Sequence, residues 1–164
     1  MIPKPKMKAK KRKRISRLPR GHRKTKSELK RLEDEVWRLQ SKMVRLRDKK
    51  CVLCGATEKL TQGHVISTKM ASTRYDWLNV HCQCSTCNYR HQFSPDLYQA
   101  WFVRKYGGGA FVDLSQKAHQ PHKFTKDELE RLKMGFELLI ENLEKVSHLS
   151  NTGDNNDPRN VSTD

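Results

Sequence analysis

The chain has 164 residues, with 34 Lys or Arg against 18 Asp or Glu, so its formal charge is +16. No run of about 18 apolar residues occurs, which excludes a membrane-spanning protein. Because only 35% of the residues are hydrophobic, we expect a small core that a metal or a cross-link must stabilise. The charge excess predicts a polyanionic partner, with nucleic acid as the first candidate.

Positive charge is concentrated at the N-terminus. Residues 1–26 contain thirteen Lys or Arg and no acidic residue, whereas the rest of the chain has 21 basic and 18 acidic residues. We predict a disordered arm that contacts phosphates, because it has almost nothing to bury; a solubility or import tail is the alternative. Its basic centre comprises Lys11, Arg12, Lys13 and Arg14. The polar residues 150–164 are predicted to be a disordered tail.

Two amphipathic helices are predicted to flank the centre of the chain. The first spans 27–49, with Ser27 as its N-cap. Its apolar residues follow steps of three and four, namely Leu29, Leu32, Val36, Leu39, Met43 and Leu46. The second helical segment spans 121–149 and starts at a capping box, Thr125 with Glu128. It repeats the same steps, with Leu129, Leu132, Phe136, Leu139, Leu143 and Val146. These narrow seams either cover the central core or pair with each other, within one chain or in a homodimer.

The segment between these helices is predicted to be mixed in secondary structure. Residues 60–67 have strand-like character, and 75–82 supply a partner strand or an extended loop. A helix capped by Ser94 is expected to end at Gly107. A short helix is then expected over 110–117. Together with the flanking helices, this arrangement predicts an α+β fold.

Five cysteines lie in this central segment. Cys51 and Cys54 form one C-x2-C pair and Cys84 and Cys87 form another, with 29 residues between the pairs. Each such turn directs two thiolates at one point, so two turns complete a tetrahedral zinc shell. Two pairs without a βαβ pattern disfavour a redox role, and we predict structural zinc. Cys82 lies outside the spacing and is interpreted as a buried or spare thiol.

Polar residues typical of a nuclease lie between and beside the cysteine pairs. His64 stands between the pairs within Gly-His-Val-Ile-Ser, Asn79 precedes the second pair, and Asn88 follows it directly. This order resembles the four-cysteine HNH, or ββα-metal, nucleases. More narrowly, it is similar to the NinG (Rap) recombination endonucleases of lambdoid phages, and a related layout occurs in the phage resolvase endonuclease VII. The resemblance covers roughly 51–107 and implies a zinc-stabilised ββα core within 50–120.

The chemistry of phosphodiester hydrolysis gives these residues roles. A neutral imidazole is a suitable base near pH 7, so His64 is the candidate general base, as the resemblance also implies. Asn79 is implied to be an organiser whose amide bridges backbone groups. Asn88 is expected to start the helix after the second pair and to bind a catalytic Mg²⁺ or Mn²⁺. His91 is a second ligand or a phosphate donor.

One position departs from the HNH pattern. Many HNH enzymes have a metal-binding Asp just before the catalytic His, and here that residue is Gly63. The metal shell is therefore left open. Residues that could replace the missing ligand are Gln62, Asp76, His81 and His91.

The resemblance implies a metal-dependent DNA endonuclease in the cytoplasm of a bacterial host, where a phage protein would act on branched recombination intermediates such as Holliday junctions or D-loops. A homodimer would place two active sites for symmetric cutting. Arg74 and Arg90 are candidate phosphate contacts. The alternatives are a non-catalytic zinc-ribbon nucleic-acid-binding protein and a sequence-specific homing or restriction nuclease of the HNH type.

Overall fold

The computed structural model describes residues 27–152, so the predicted basic arm and the tail beyond Thr152 lie outside the described residues. The described chain is α+β, as predicted. Its helices are α1 Glu28–Asp48, α2 Ser85–His91, α3 Asp96–Tyr106, α4 Gly108–Ala118 and α5 Lys126–Thr152. A two-stranded antiparallel sheet joins β1 Leu60–His64 to β2 Val80–Cys84, and a short 3-10 helix covers Ala71–Thr73.

Side-chain caps start both long helices as the sequence indicates. The Ser27 hydroxyl accepts a hydrogen bond from the Lys30 N–H. At the start of α5, the Thr125 hydroxyl accepts from the Glu128 N–H, and the Glu128 carboxylate accepts from the Thr125 N–H at 2.8 Å. This reciprocal arrangement is a capping box, which satisfies two backbone donors that a helix leaves free.

The end of α5 differs from the prediction. The tail is predicted from residue 150, whereas α5 continues to Thr152, the last described residue. Polar residues alone do not end a helix, because their propensities differ only by tenths of a kcal/mol.

The two apolar seams pack against each other within one chain. Their buried residues form one core cluster with the sheet, comprising Val36, Met43, Val44, Tyr75, Val80, Cys82, Leu129, Phe136 and Ile140. Two predicted seam residues of α5 are not buried: Leu139 is 36% and Val146 is 64% exposed. A straight α-helix has 3.6 residues per turn and drifts away from a 3.5-residue repeat, so Ile140 takes the inward position instead.

Both predicted strands need correction. The predicted strand 60–67 ends at His64, because the side chain of Asn79 takes the N–H and the carbonyl of Ile66 and ends the ladder there. The predicted partner strand 75–82 begins too early. Residues 76–79 form a turn in which the Asp76 carbonyl accepts from the Asn79 N–H, and β2 follows it.

A second core cluster lies on the other side of the sheet. Its buried residues are Val65, Tyr98, Phe102 and Leu114. The predicted Ser94 cap of α3 is wrong: Pro95 is the N-cap, and no side-chain cap is present. The Ser94 N–H instead donates to the Arg90 carbonyl and closes the turn after α2. Helix α4 covers the predicted 110–117 and starts two residues earlier. Of the described helices, none has the length and apolar composition needed to cross a membrane.

Candidate functional site

The four paired cysteines come together as the spacing predicts. The Sγ atoms of Cys51, Cys54, Cys84 and Cys87 all lie within 4.8 Å of one another. The first pair sits in a tight turn that Gly55 closes with a positive φ of 76° and an N–H donated to the Cys51 carbonyl. A left-handed backbone suits glycine, since no Cβ is present to clash.

The second cysteine pair is placed by a change from strand to helix. Cys84 ends β2 and is also the N-cap of α2, where its sulfur accepts from the Cys87 N–H at 3.4 Å. Among residues 27–152, these four cysteines form the one group of three or more potential ligands that are close enough to share an ion. Four sulfur donors without a carboxylate match the preference of zinc, so this cluster could hold a metal such as zinc.

The thiols of the cluster differ in acidity. Burial acts to raise the pKa of Cys51, but hydrogen bonds from the backbone N–H groups of Cys54 and Cys84 outweigh it and lower that pKa to about 7. Burial and neighbouring sulfurs raise the pKa of Cys87 well above the usual range. Cys82 stands outside the cluster, fully buried in the core, and burial raises its pKa to about 11. Of the two interpretations of Cys82, a buried or a spare thiol, the structure confirms that the thiol is buried.

His64 lies at the end of β1 in a restrictive environment. Its ring stacks on Trp37 of α1, with the ring centroids 5.3 Å apart and the planes 5° from parallel. The Nε2 atom is 3.0 Å from the carbonyl oxygen of Arg74. A carbonyl can only accept, so Nε2 carries the proton and Nδ1 has the lone pair. Burial lowers the pKa of His64 to about 4, so the ring is neutral at pH 7.

Asn79 connects the two ends of the loop that follows β1. Its Oδ1 accepts from the Ile66 N–H at 2.7 Å, and its Nδ2 donates to the carbonyls of Ile66 and Thr73 at 3.1 and 2.9 Å. The side chain is fully buried. These bonds hold the loop that carries the Arg74 carbonyl, and that carbonyl orients His64. The predicted bridging of backbone groups is thus present, and its part in catalysis stays a prediction.

Three predicted site residues line one cavity of about 820 Å³: His64, Asn88 and His91. The expectation that Asn88 starts a helix is wrong, because Cys84 is the N-cap of α2 and Asn88 lies within the helix. The His91 Nε2 atom is 3.0 Å from the carbonyl oxygen of His64, so it donates there. Its Nδ1 is buried without a hydrogen-bond partner in the described part of the chain, and burial lowers the pKa of His91.

The structure shows what occupies the space beside Gly63, at the position where many HNH enzymes have an acid. A Cβ atom at Gly63 would clash with Oε1 of Gln83, which lies on β2 two residues beyond His81, the pairing partner of Gly63. The Gln83 side chain therefore occupies the space that an Asp side chain would need. The hydroxyl of Tyr98 also donates to the Gly63 carbonyl, at 3.1 Å.

Of the four residues that could replace the missing metal ligand, two line the cavity and two do not. Gln62 and His91 line the cavity, and both polar atoms of the Gln62 amide are buried without a partner among residues 27–152. Asp76 instead forms an ion pair with Lys117. His81 is a core residue whose Nδ1 accepts from Arg47 and whose Nε2 donates to the Leu78 carbonyl.

The predicted phosphate-binding residues occupy different environments. Arg74 is half-buried and its Nε donates to the Thr68 carbonyl, so part of this side chain stabilises the loop. Arg90 is exposed on α2 and lines a groove beside the cavity. The four basic residues at the centre of the arm lie outside the described residues.

Sequence reasoning missed two residues at this site. Trp37 stacks on His64 although it lies on a different element, and Gln83 fills the space above Gly63. The available signal for Trp37 was its position beside, rather than in, the apolar seam of the first helix. A large aromatic residue on the polar side of an amphipathic helix indicates a second contact.

The fold and the site define an α+β protein in which a four-cysteine cluster that could hold a metal stands beside a two-stranded sheet. The family model described as "Bacteriophage Lambda NinG protein" matches residues 2–146. The chain therefore belongs to the NinG family, and the predicted family is confirmed.

Individual relatives agree with this assignment. The chain is similar to "Protein ninG" of Salmonella phage P22, of Escherichia phage 933W and of Enterobacteria phage VT2-Sa. Each is 28% identical over 100 residues, which cover 59% of this chain and 49% of the relative. The chain thus spans about half the length of these curated relatives. No solved structure gives a significant match.

Proposed function

We propose that this protein is a metal-dependent DNA endonuclease of the HNH type that acts on branched recombination intermediates. The observation that carries the proposal is the state of His64: a neutral imidazole with one tautomer, lining the same cavity as Asn88 and His91. A base of this kind is what hydrolysis of a phosphodiester requires.

The contacts of His64 suit proton transfer. Its Nδ1 lone pair takes a proton from the attacking water, while the Nε2–H bond to the Arg74 carbonyl stabilises the imidazolium that forms. Stacking on Trp37 keeps the ring from rotating. In the complex, the negative phosphates of DNA would raise the pKa of His64 from about 4 towards neutrality, which makes the base stronger when substrate is bound.

The cavity also offers donors for a divalent cation. Asn88 contributes an amide oxygen, Gln62 contributes another, and the His91 Nδ1 has a buried lone pair without a partner in the described chain. A bound Mg²⁺ or Mn²⁺ would supply charge stabilisation for the phosphate and for the leaving oxygen. These donors are neutral, so affinity for the cation depends on the phosphate of the substrate as well.

Zinc at the four cysteines would have a structural role. The cluster joins the turn at Cys51 to the end of β2 and the start of α2, which carries Asn88 and His91. Loss of the ion would release the helix that forms one wall of the cavity. In a protein with a core this small, metal-binding free energy contributes directly to folding.

Branched DNA as the substrate rests on the family and on charge. A formal charge of +16 favours binding to DNA phosphates without sequence preference. The resemblance of this chain to the NinG recombination endonucleases implies branched recombination intermediates as the substrate. A role in phage recombination in the host cytoplasm, with a homodimer cutting two strands, remains part of the proposal.

A non-catalytic zinc-containing nucleic-acid-binding protein is the second candidate. The burial of His64, which is only 7% exposed, favours it. A buried, stacked and hydrogen-bonded imidazole is also how a structural histidine is held. This candidate shares the cysteine cluster and the basic arm but predicts no cleavage.

The test is cleavage by the full zinc-loaded chain. A four-way junction, a D-loop and a linear duplex would each be incubated with Mg²⁺, with Mn²⁺ or with EDTA. We expect cleavage of the branched DNAs with the cations, little cleavage of the duplex, and none with EDTA. Asn88→Ala should reduce the rate and raise the cation concentration needed. Binding of all three DNAs without cleavage under any condition would favour the second candidate.

A further inference from the structure

A second surface borders the proposed catalytic cavity. It is a groove of about 590 Å³ formed by the region around α2 and α3, next to Cys54 and Cys87. His91 lines both the groove and the cavity. The groove and the cavity are therefore adjacent, with His91 between them.

The groove presents apolar side chains to solvent. Tyr89, Phe93 and Leu97 are 62%, 73% and 67% exposed. The Tyr89 and Phe93 rings lie 5.3 Å apart, nearly edge to face, at the end of α2. Exposed aromatic side chains concentrated in one groove indicate a binding surface rather than ordinary surface composition.

The groove is positively charged, which favours a negatively charged binding partner. Arg90 and Arg104 line it, and none of its lining residues is acidic. Within residues 27–152, neither guanidinium forms an ion pair in the structure. Aromatic rings beside unpaired arginines match a partner that combines flat apolar faces with negative charge. Unpaired nucleotides have both properties.

We propose that this groove binds an unpaired DNA strand next to the phosphate that is cut, with bases stacking on Tyr89 and Phe93 and phosphates contacting Arg90 and Arg104. In a duplex the base faces are stacked on one another, so only an unpaired base can offer its face to a side chain. The inference rests on the proposed function, because it takes DNA as the substrate. It identifies which feature of branched DNA the protein recognises.

The first test is binding of DNA labelled with the fluorescent base 2-aminopurine in a single-stranded branch, beside the junction with a duplex. The full zinc-loaded chain would be compared with the double variant Tyr89→Ala and Phe93→Ala. We expect wild type to quench the 2-aminopurine signal, and the variant to quench it weakly. Affinity for the branched DNA should fall about tenfold or more, while affinity for a fully paired duplex stays within about twofold.

A matched control separates the groove from other exposed apolar residues. Met134 and Leu138 are exposed on α5 and lie outside the groove, so the double variant Met134→Ala and Leu138→Ala should bind and quench like wild type. Zinc content and thermal melting would verify that both double variants are folded. In a second groove variant, Arg90→Gln with Arg104→Gln, the salt dependence of binding to the single-stranded branch should be flatter by about 1.4 in the log–log slope.

Two results would overturn the inference. One is an equal loss of affinity for branched and paired DNA in the aromatic variant. The other is self-association through this face: wild type would sediment as a dimer and the aromatic variant as a monomer, with unchanged quenching. Failure of the endonuclease proposal can be told apart from failure of the groove proposal. His64 lies outside the groove, so His64→Ala should still quench 2-aminopurine whether or not His64 takes part in cleavage. Quenching without cleavage by any protein would leave the groove assignment standing and remove the nuclease.

Discussion

At the scale of single residues, the environment of His64 depends on a side chain from outside the motif. Trp37 covers one face of the ring, the Arg74 carbonyl fixes Nε2, and Asn79 holds the loop that presents this carbonyl. Each contact removes water or freedom from the imidazole. In the proposed reaction, Trp37 would thus be a positioning residue that acts through His64.

Replacing Trp37 tests this positioning. In Trp37→Ala the ring gains water on one face, so the pKa of His64 should rise from about 4 towards its ordinary 6.5. Trp37→Phe keeps an aromatic face and should shift the pKa less. NMR titration of the histidine ring signals measures both variants without DNA. Trp77→Ala, at another partly exposed tryptophan, is the control and should leave the His64 titration unchanged. An unchanged pKa of His64 in Trp37→Ala would contradict the role.

A second prediction concerns the close approach of Gly63 and Gln83. In Gly63→Ala, the new methyl group would meet the Gln83 amide, so the side chain or the strand must shift. We expect the free energy of unfolding to fall by about 1–3 kcal/mol, as for other overpacked sites. Adding Gln83→Ala should restore much of this loss, because it removes the clashing group.

A double-mutant cycle by chemical denaturation measures the coupling between the two positions. Additive losses in Gly63→Ala and Gln83→Ala would show that the two side chains do not compete for the same space.

The parts of the site that could be predicted from the sequence are those that depend on residues close together in the chain. Cysteine pairs and the order of His64, Asn79 and Asn88 are local patterns, and the chemistry of zinc and of a general base gives them meaning. The contact of Trp37 with His64 joins residues far apart in the chain and belongs to no repeat. The close approach of Gln83 to Gly63 depends on the register between β1 and β2. That register could not be predicted, because the predicted strand boundaries were wrong.

At the scale of elements, α1 and α5 form the main support of the sheet. Their buried residues join Val80 and Cys82 of β2 in one cluster, so the long helices hold the strand that leads into the second cysteine pair. The helices were predictable because caps and apolar periodicity are strong local signals. The strands were not, since five-residue strands are bounded by single hydrogen bonds, such as those of the Asn79 side chain and of the Asp76 carbonyl.

The pairing of these helices within the chain makes a prediction about stability. Phe136 is buried between α5 and its neighbours, whereas Leu138 is exposed on the same helix. Phe136→Ala should lower the free energy of unfolding by about 3–5 kcal/mol, and Leu138→Ala should change it by less than about 0.5 kcal/mol. Urea denaturation followed by circular dichroism measures both. Equal effects would show that this face of α5 is not packed.

At the scale of the whole molecule, pairing within the chain changes the argument for a homodimer. The apolar seams are already buried against each other, so a dimer would need another surface. Positive charge is also unevenly distributed along the chain. Residues 1–26 have most of the excess positive charge, while residues 27–152 contain the cysteine cluster and the cavity. This division suits a protein whose affinity for DNA comes largely from one segment and whose chemistry comes from another.

Stability of the whole chain should depend on pH through two buried histidines. Burial lowers the pKa of both His64 and His81 to about 4, against about 6.5 when they are exposed. Between these values the unfolded chain binds more protons than the folded chain, so stability is lost as the pH falls. From pH 7 to pH 5, we expect a loss of about 2 kcal/mol for each histidine.

Denaturation at several pH values, with zinc retention followed in parallel, measures this loss. His81→Gln should reduce the pH dependence, since the contribution of His81 is removed while those of His64 and His91 remain. A free energy of unfolding that is constant from pH 7 to pH 5 would show that neither ring is buried in its neutral form.

We propose that His64 is the base that activates water. The most direct measurement is the single-turnover cleavage rate of a branched DNA, at saturating protein and Mn²⁺, for wild type, His64→Ala and a control variant. The control is His122→Ala, because His122 contacts Phe124 and lines neither the cavity nor the groove. We predict a fall of at least about a hundredfold in His64→Ala, with zinc content and DNA affinity unchanged, and a rate like wild type in His122→Ala. Equal rates for wild type and His64→Ala would contradict the claim.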